Sequence, residues 1–181
     1  MSAEEFHELH EHAEHAAHDR SLAPVSLTMA TLAVLVAVVS LLGHRTHTEE
    51  VVLQNKVSDQ WAYYQAKNIR RHTDELFADL ATVMATSDAQ KAEKTSEKYQ
   101  KEADRYRDEQ KDIDVEAKKL EQETGMVRRR ADRFDLAEVF LEIGLVVTSI
   151  TLLSGKRAFW YSGMILGVVG LVVASTALLV R

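Results

Sequence analysis

A seven-residue repeat between Ala92 and Phe134 constrains the fold of this chain more than any other feature. Large side chains recur at every seventh position. A second set of residues, most of them small, stands three positions before each of the last five large ones. The large set is Tyr99, Tyr106, Ile113, Leu120, Val127 and Phe134, and the other set is Ala103, Gln110, Ala117, Thr124 and Ala131. This a/d pattern is typical of a coiled-coil helix. Charged residues fill the positions between and no proline interrupts, so a long water-exposed helix is predicted to enter a membrane unbroken.

An earlier series predicts the partner of this helix. Ala62, Ile69, Leu76 and Val83 are also spaced by seven, with Leu80 beside them. Folding the chain near residues 86–88 places Leu76 against Tyr99 and Ile69 against Tyr106, so the two series are in phase about one turn. The prediction is an antiparallel coiled-coil hairpin over residues 44–133. At ~1.5 Å per residue the hairpin would rise ~60 Å from the bilayer.

Apolar residues make up 46% of the 181 and collect in three blocks. Because about 20 apolar residues cross the hydrocarbon core, transmembrane helices are predicted at residues 22–43, 134–154 and 159–180. The predicted fold class is therefore all-α, an integral membrane protein with three transmembrane helices and a long antiparallel coiled-coil hairpin. No cysteine is present, which excludes disulfides and cysteine-based zinc sites.

The N-terminal tail, residues 1–21, is acidic and rich in histidine, and it leaves several interpretations open. Histidines at helical spacing can bind zinc, nickel or copper, so one hypothesis is a divalent transition metal. Its ligands would be drawn from His7, His10, Glu11, Glu14, His15 and His18. Because the pKa of histidine is near ~6.5, the tail could instead respond to mild acidification. The remaining interpretation is a solvated tail, and no other cofactor is predicted.

Surplus apolar surface near the base of the hairpin predicts a partner-binding site. Leu53, Val57, Trp61 and Tyr64 lie on a different side of the first hairpin helix from Ile69. Exposed aromatic and aliphatic surface of this kind marks interaction sites. The alternative is that Trp61 and Tyr64 pack on their own hairpin or touch lipid headgroups.

Two carboxylates stand in the first turns of the second span. Glu138 and Glu142 are four residues apart and share one helix face. A carboxylate in lipid is costly and needs a partner, so Glu142 is expected to contact His44 or Arg45 at the end of the first span. The arrangement is interpreted as an interhelical lock or an interfacial position, with an ion or proton site as the alternative.

The third span carries a stripe of small residues, which predicts close intramembrane helix packing. The stripe consists of Gly163, Gly167, Gly170, Ala174 and Ala177. Whether it faces the second span or another copy of the chain is open.

Charge placement predicts the orientation. Arg128, Arg129, Arg130 and Arg133 crowd the base of the second hairpin helix. Because cationic residues that flank spans stay in the cytoplasm, this cluster favours a cytoplasmic hairpin, whereas Lys156 and Arg157 argue the opposite way.

Acids and bases nearly cancel over residues 44–133, so no nucleic-acid-binding surface is predicted.

Two stretches carry a family resemblance. At residues 61–70, WAYYQAKNIR, and residues 47–55, HTEEVVLQN, the chain resembles a family of small bacterial membrane proteins catalogued as a domain of unknown function, DUF4337. The resemblance extends over most of the chain. It implies a bacterial integral membrane protein and brings no activity or catalytic residues. With three predicted spans, the expected location is the bacterial inner membrane, as a multi-pass protein.

No catalytic constellation stands out in the sequence. There is no glycine-rich phosphate loop and no HExxH motif, and no serine has a histidine and an acid placed to activate it. The chain is therefore predicted not to be an enzyme. The expected function is a membrane-anchored coiled-coil scaffold or accessory subunit, in a homo-oligomer or a larger membrane complex. The alternative is a small ion- or proton-conducting, or metal- or pH-responsive, membrane protein.

Overall fold

The computed structural model describes residues 22–84 and 89–179, and these contain three helices. The helices are α1 (Ala23–Val83), α2 (Ala89–Ser154) and α3 (Arg157–Ala177). No strand occurs in the described ranges, so the all-helical prediction is confirmed for them. The predicted tail at residues 1–21 and the predicted turn at residues 86–88 lie outside the described residues.

The helices α1 and α2 continue through an abrupt change of composition. α1 has 61 residues and α2 has 66, and each joins an apolar segment to a charged one. An α-helix satisfies its backbone hydrogen bonds internally in either surrounding, so the change need not end it. Pro24 stands in the first turn of α1, where a missing N–H leaves no hydrogen bond unmade. Gly43, predicted to end the first span, lies inside α1.

A glycine ends α2. Gly155 has a φ of 64°, which residues with a Cβ rarely adopt. Its N–H donates to the Thr151 carbonyl at 2.9 Å, as in a left-handed C-terminal cap. α3 begins two residues later at Arg157 and runs back along α2.

The described residues of the first compact unit, 22–46 and 129–179, contain the apolar parts of all three helices. Its core consists of Leu32, Val39, Phe134, Ala137, Leu141 and Ala177. The core is small, because only 17%, 28% and 22% of the residues in the most apolar stretches of α1, α2 and α3 are buried. Each helix is long and apolar enough to cross a membrane, and most of its apolar surface faces outward.

The second compact unit, residues 47–128, pairs the charged parts of α1 and α2 antiparallel. Phe77 of α1 stacks on Tyr99 of α2, with ring centroids 5.3 Å apart. The seven-residue repeat of α2 lies on the buried face, where Ala103 is 2% exposed and Ala117 is fully buried. The small alanines let the backbone of α1 approach α2 closely at these levels.

The structure corrects the predicted face of α1. Ile69, Leu76 and Val83, predicted to pack against α2, are 66%, 63% and 82% exposed. The axial register of the two helices is nearly as predicted, since Tyr99 stacks on Phe77, the residue after Leu76. The helix is therefore rotated about its own axis relative to the prediction, so its most regular apolar series faces away from α2.

Candidate functional site

The four residues predicted to form a partner-binding surface lie on the face of α1 that contacts α2. Val57 is 6% exposed, and Trp61 donates its indole N–H to Glu121 Oε1 at 2.9 Å. Tyr64 is half-buried and meets Trp61 edge to face, with ring centroids 5.5 Å apart, while Leu53 is also half-buried. These side chains make contacts within the two-helix unit, in line with the alternative that Trp61 and Tyr64 pack on their own hairpin, and partner binding at this surface stays a prediction.

Polar contacts connect the same faces of α1 and α2. The Lys67 ammonium donates to Glu109 Oε2 and lies 5.0 Å from the centroid of the Tyr106 ring. Arg107 donates to Glu75 Oε1 at 3.1 Å. These bonds join residues that hydrophobicity patterns assign to the solvent, which is why the predicted face of α1 was wrong.

The hydrogen bond between Lys67 and Glu109 shifts the pKa of both groups. It raises the pKa of Lys67 above its ordinary value and lowers the pKa of Glu109 below its own, and partial burial opposes both shifts. The stabilisation from Glu109 is lost as pH falls through its lowered pKa, and that from Lys67 is lost as pH rises through its raised pKa. The pair therefore stabilises the two-helix unit across the neutral range, modestly because it is partly exposed.

The inner face of α1 has a repeat of its own, which the sequence reasoning missed. Val57, Tyr64, Arg71 and Ala78 also recur every seven residues, and all are buried or half-buried. The series contains an arginine and an alanine, so its apolar pattern is weaker than that of the Ile69 series. The missed signal is chemical complementarity, with Lys67 on this side of α1 and Glu109 on the facing helix.

The glycine stripe of α3 faces the other two helices of its unit. A Cβ on Gly163 would lie 2.6 Å from the Gly144 carbonyl oxygen and still closer to Thr148. A Cβ on Gly170 would lie 2.8 Å from Leu141, and one on Gly167 would lie 2.6 Å from Leu32 of α1. Ala177 is fully buried and Ala174 packs against the core. The partner of the stripe is therefore α2 and α1 of the same chain.

All four residues of the predicted intramembrane polar pair lie in the described ranges of the three-helix unit. Glu142 is exposed and Glu138 is half-buried, while His44 and Arg45 are both exposed. The predicted contact of Glu142 with His44 or Arg45 stays a prediction. Val139, Ile143 and Val146 are exposed beside Glu142, at 49%, 46% and 61%. A carboxylate thus stands on an outward apolar face of α2.

The described residues offer no preformed metal site. No group of three or more His, Asp or Glu side chains among them is arranged to hold a metal ion. The histidines of the hypothetical N-terminal metal site, from His7 to His18, lie outside the described residues. The metal hypothesis therefore stays a prediction.

A shallow groove of about 320 Å³ runs along the outer face of α3. It is lined by Tyr161, Met164, Ile165, Val168 and Val169. An apolar groove on one helix suits a lipid acyl chain better than a substrate, because it lacks the few placed polar groups that orient small molecules. The prediction that the chain is not an enzyme remains a prediction.

Comparison with known proteins connects this architecture to a family. A family model described as a domain of unknown function, DUF4337, matches residues 21–180. No curated protein and no solved structure matches the chain. The match spans all three helices, from the apolar start of α1 to the end of α3. The chain belongs to the DUF4337 family, a domain of unknown function.

Proposed function

We propose that this chain is a non-enzymatic membrane protein with three spans, which serves as a scaffold or accessory subunit. The observation that carries the proposal is the continuity of α1 and α2, each of which passes from an apolar segment into a charged one without a break. A helix pair that continues into apolar segments in this way suits a docking arm, since a contact made on it is tied to the membrane.

The outward apolar surface of the three-helix unit supports membrane insertion. Fewer than three in ten residues of each apolar stretch are buried. In water the rest would form a large exposed apolar surface, which soluble monomers avoid. In lipid the same surface is favourable, and close packing at Gly163 and Gly170 supplies the contacts that hold the helices together.

The orientation proposed is a cytoplasmic two-helix unit in a bacterial inner membrane. The cluster Arg128, Arg129, Arg130 and Arg133 supports it, because arginines next to spans are retained in the cytoplasm. Within its unit Arg133 donates to the Thr176 carbonyl near the end of α3, so this cation also satisfies a helix C-terminus.

Membrane fractionation tests the proposal. We expect the full chain to stay in the membrane pellet after alkaline carbonate washing, because three spans cannot be stripped as a peripheral protein can. The chain has no cysteine, so Val115→Cys and Lys156→Cys each introduce a unique thiol for an impermeant maleimide. Labelling of Lys156→Cys but not Val115→Cys in intact cells is expected. Release of the protein by carbonate would refute membrane insertion.

A second candidate function is conduction of protons or cations. Glu142 is exposed among Val139, Ile143 and Val146, which favours this candidate. Placing a carboxylate against lipid costs free energy, so such a residue is expected to have a function. In an assembly of several copies, such carboxylates could line a shared polar path. Flux through reconstituted vesicles distinguishes this candidate from the scaffold.

A further inference from the structure

The apolar series of α1 that faces away from α2 is not explained by the fold of one chain. We define the outer seam as Ala62, Ala66, Ile69, Thr73, Leu76, Leu80 and Val83. All seven are exposed, and their spacing alternates between four and three residues. The four large members, Ile69, Leu76, Leu80 and Val83, are 66%, 63%, 48% and 82% exposed. We propose that the outer seam binds the outer seam of a second copy of this chain, forming a parallel two-stranded coiled coil.

The spacing of the seam specifies a helical partner. A strict alternation of four and three residues averages 3.5 residues per turn, so the seam stays in register only with another helix that supercoils around it. Among the described residues, the corresponding repeat of α2 is already buried, at Ala103, Ile113 and Ala117 for example. Between copies of this chain, the repeat that remains exposed to match the outer seam in length and period is therefore the same seam.

The one polar member of the seam does not oppose burial. Thr73 donates its hydroxyl to the Ile69 carbonyl of its own helix at 2.8 Å. Its hydrogen bond is thus already made, and covering Thr73 would leave no unsatisfied donor. The seam consequently presents an apolar surface along its whole length.

The flanking residues are compatible with parallel pairing. In a parallel coiled coil each g position meets the e position five residues later on the other helix. The pairs formed are Gln65 with Arg70, His72 with Phe77, and Asp79 with Met84. No pair brings like charges together, and the Gln65 amide oxygen can accept from the Arg70 guanidinium. Pairing of two identical seams therefore meets no electrostatic penalty at its edges.

Membrane anchoring fixes the direction and supports the affinity, so this inference rests on the proposed function. Since α1 begins in its apolar segment in every copy, two anchored copies present α1 in the same direction, with Ile69 opposite Ile69. A seam of three heptads, ~30 Å long, is short for a stable coiled coil in solution. Confinement to a membrane raises the effective concentration of the copies, which compensates for that length.

Cysteine cross-linking of the full chain in native membranes tests the pairing. Ile69→Cys, Leu76→Cys and Val83→Cys are each expected to give a disulfide-linked dimer at twice 20.4 kDa under mild oxidation. The matched control is Val115→Cys, an exposed apolar position on α2 at 68% exposure, which should remain monomeric. Cross-linking at all three seam positions requires parallel pairing, because an antiparallel pair brings identical residues together at one level alone.

Absence of cross-linking at the three seam positions, or equal cross-linking at Val115→Cys, would overturn the inference. A second variant guards against poor thiol geometry. Leu76→Asp combined with Leu80→Asp should halve the mass of a detergent-extracted dimer without loss of helix content, whereas Val115→Asp should leave the mass unchanged. An unchanged mass in the double variant would also contradict the proposal.

The same membrane samples separate the two proposals. Protein that resists carbonate washing but fails to cross-link refutes the seam and leaves the membrane scaffold standing. Protein that carbonate releases refutes the membrane scaffold, whatever the cross-linking pattern. A cross-link to a different protein in place of the dimer would show that another partner occupies the seam.

Discussion

Individual residues in the three-helix unit set how closely its helices approach. Gly144 of α2 and Gly163 of α3 face each other, and a Cβ on Gly144 would lie 2.9 Å from the Gly163 carbonyl oxygen. Backbone atoms cannot rotate away as the end of a flexible side chain can. Trp160 adds a polar contact nearby, since its indole N–H donates to Thr28 Oγ1 at 3.1 Å. The glycines are therefore needed for packing, although alanine has the higher helix propensity.

Replacing Gly163 by alanine tests this packing. The added Cβ would lie 2.6 Å from the Gly144 carbonyl oxygen and still closer to the Thr148 hydroxyl, so the helices must separate. We expect a loss of about 1–3 kcal/mol of unfolding free energy, which exceeds the gain of about 1 kcal/mol that alanine brings to a helix. Thermal unfolding in detergent measures the effect. Ser162→Ala, at the exposed neighbouring position, is the control, and equal stability of the two variants would contradict the close contact.

The element that organises the two-helix unit is α1, which has two seven-residue series on different faces. The Val57 series and the Ile69 series are offset by five residues, which places them ~140° apart around the helix. The first lies on the face that contacts α2, which also carries Lys67 and Glu75, and the second belongs to the outer seam. A helix with two such faces can bind two neighbours at once, one from its own chain and one from outside.

An aspartate substitution should destabilise the two-helix unit on one face of α1 and leave it intact on the other. Ala78 is 2% exposed, so Ala78→Asp places a charge against α2 and should lower the stability of the two-helix unit by about 3 kcal/mol. Ile69→Asp lies on the outer seam and should leave the helix content of the chain unchanged. Circular dichroism during urea unfolding measures both. If Ile69→Asp melted the unit and Ala78→Asp did not, the face of α1 shown by the structure would be wrong.

At the scale of the whole molecule, charged residues are concentrated in the two-helix unit and sparse in the apolar parts of the three-helix unit. The formal net charge is -6, yet the two-helix unit carries many internal ion pairs between neighbouring turns, such as Lys101 with Glu97 and Lys118 with Asp114. These pairs keep a long helix soluble while adding little stability each. Glu142 is the exception to this division, because it is exposed among apolar side chains of the three-helix unit.

Proton flux through the reconstituted full chain tests whether Glu142 has a transport role. If the conduction hypothesis holds, vesicles with the unmodified chain should collapse an imposed pH gradient, and Glu142→Gln should reduce the rate at least tenfold. Glu116→Gln, an exposed carboxylate of the two-helix unit, should behave like the unmodified chain. A gradient that persists in all samples would eliminate conduction and leave the scaffold as the proposed function.

The sequence by itself determined the helices and their division into apolar and charged segments. Backbone hydrogen bonds within a helix are local, and the apolar blocks are dense enough to be recognised from composition alone. The seven-residue repeat of α2 likewise identified its buried face, including Ala103 and Ala117. Family membership also followed from sequence, through the family model that matches residues 21–180.

The tertiary structure alone decided which face meets which neighbour. Two series on α1 satisfy the same periodicity, and the choice between them depends on contacts between residues far apart in sequence, such as Lys67 with Glu109, 42 residues away. The partner of the glycine stripe was decided in the same way, by the fit of Gly163 against Gly144 and Thr148. Periodicity records that a face is apolar, whereas shape and hydrogen bonding between particular side chains determine what covers it.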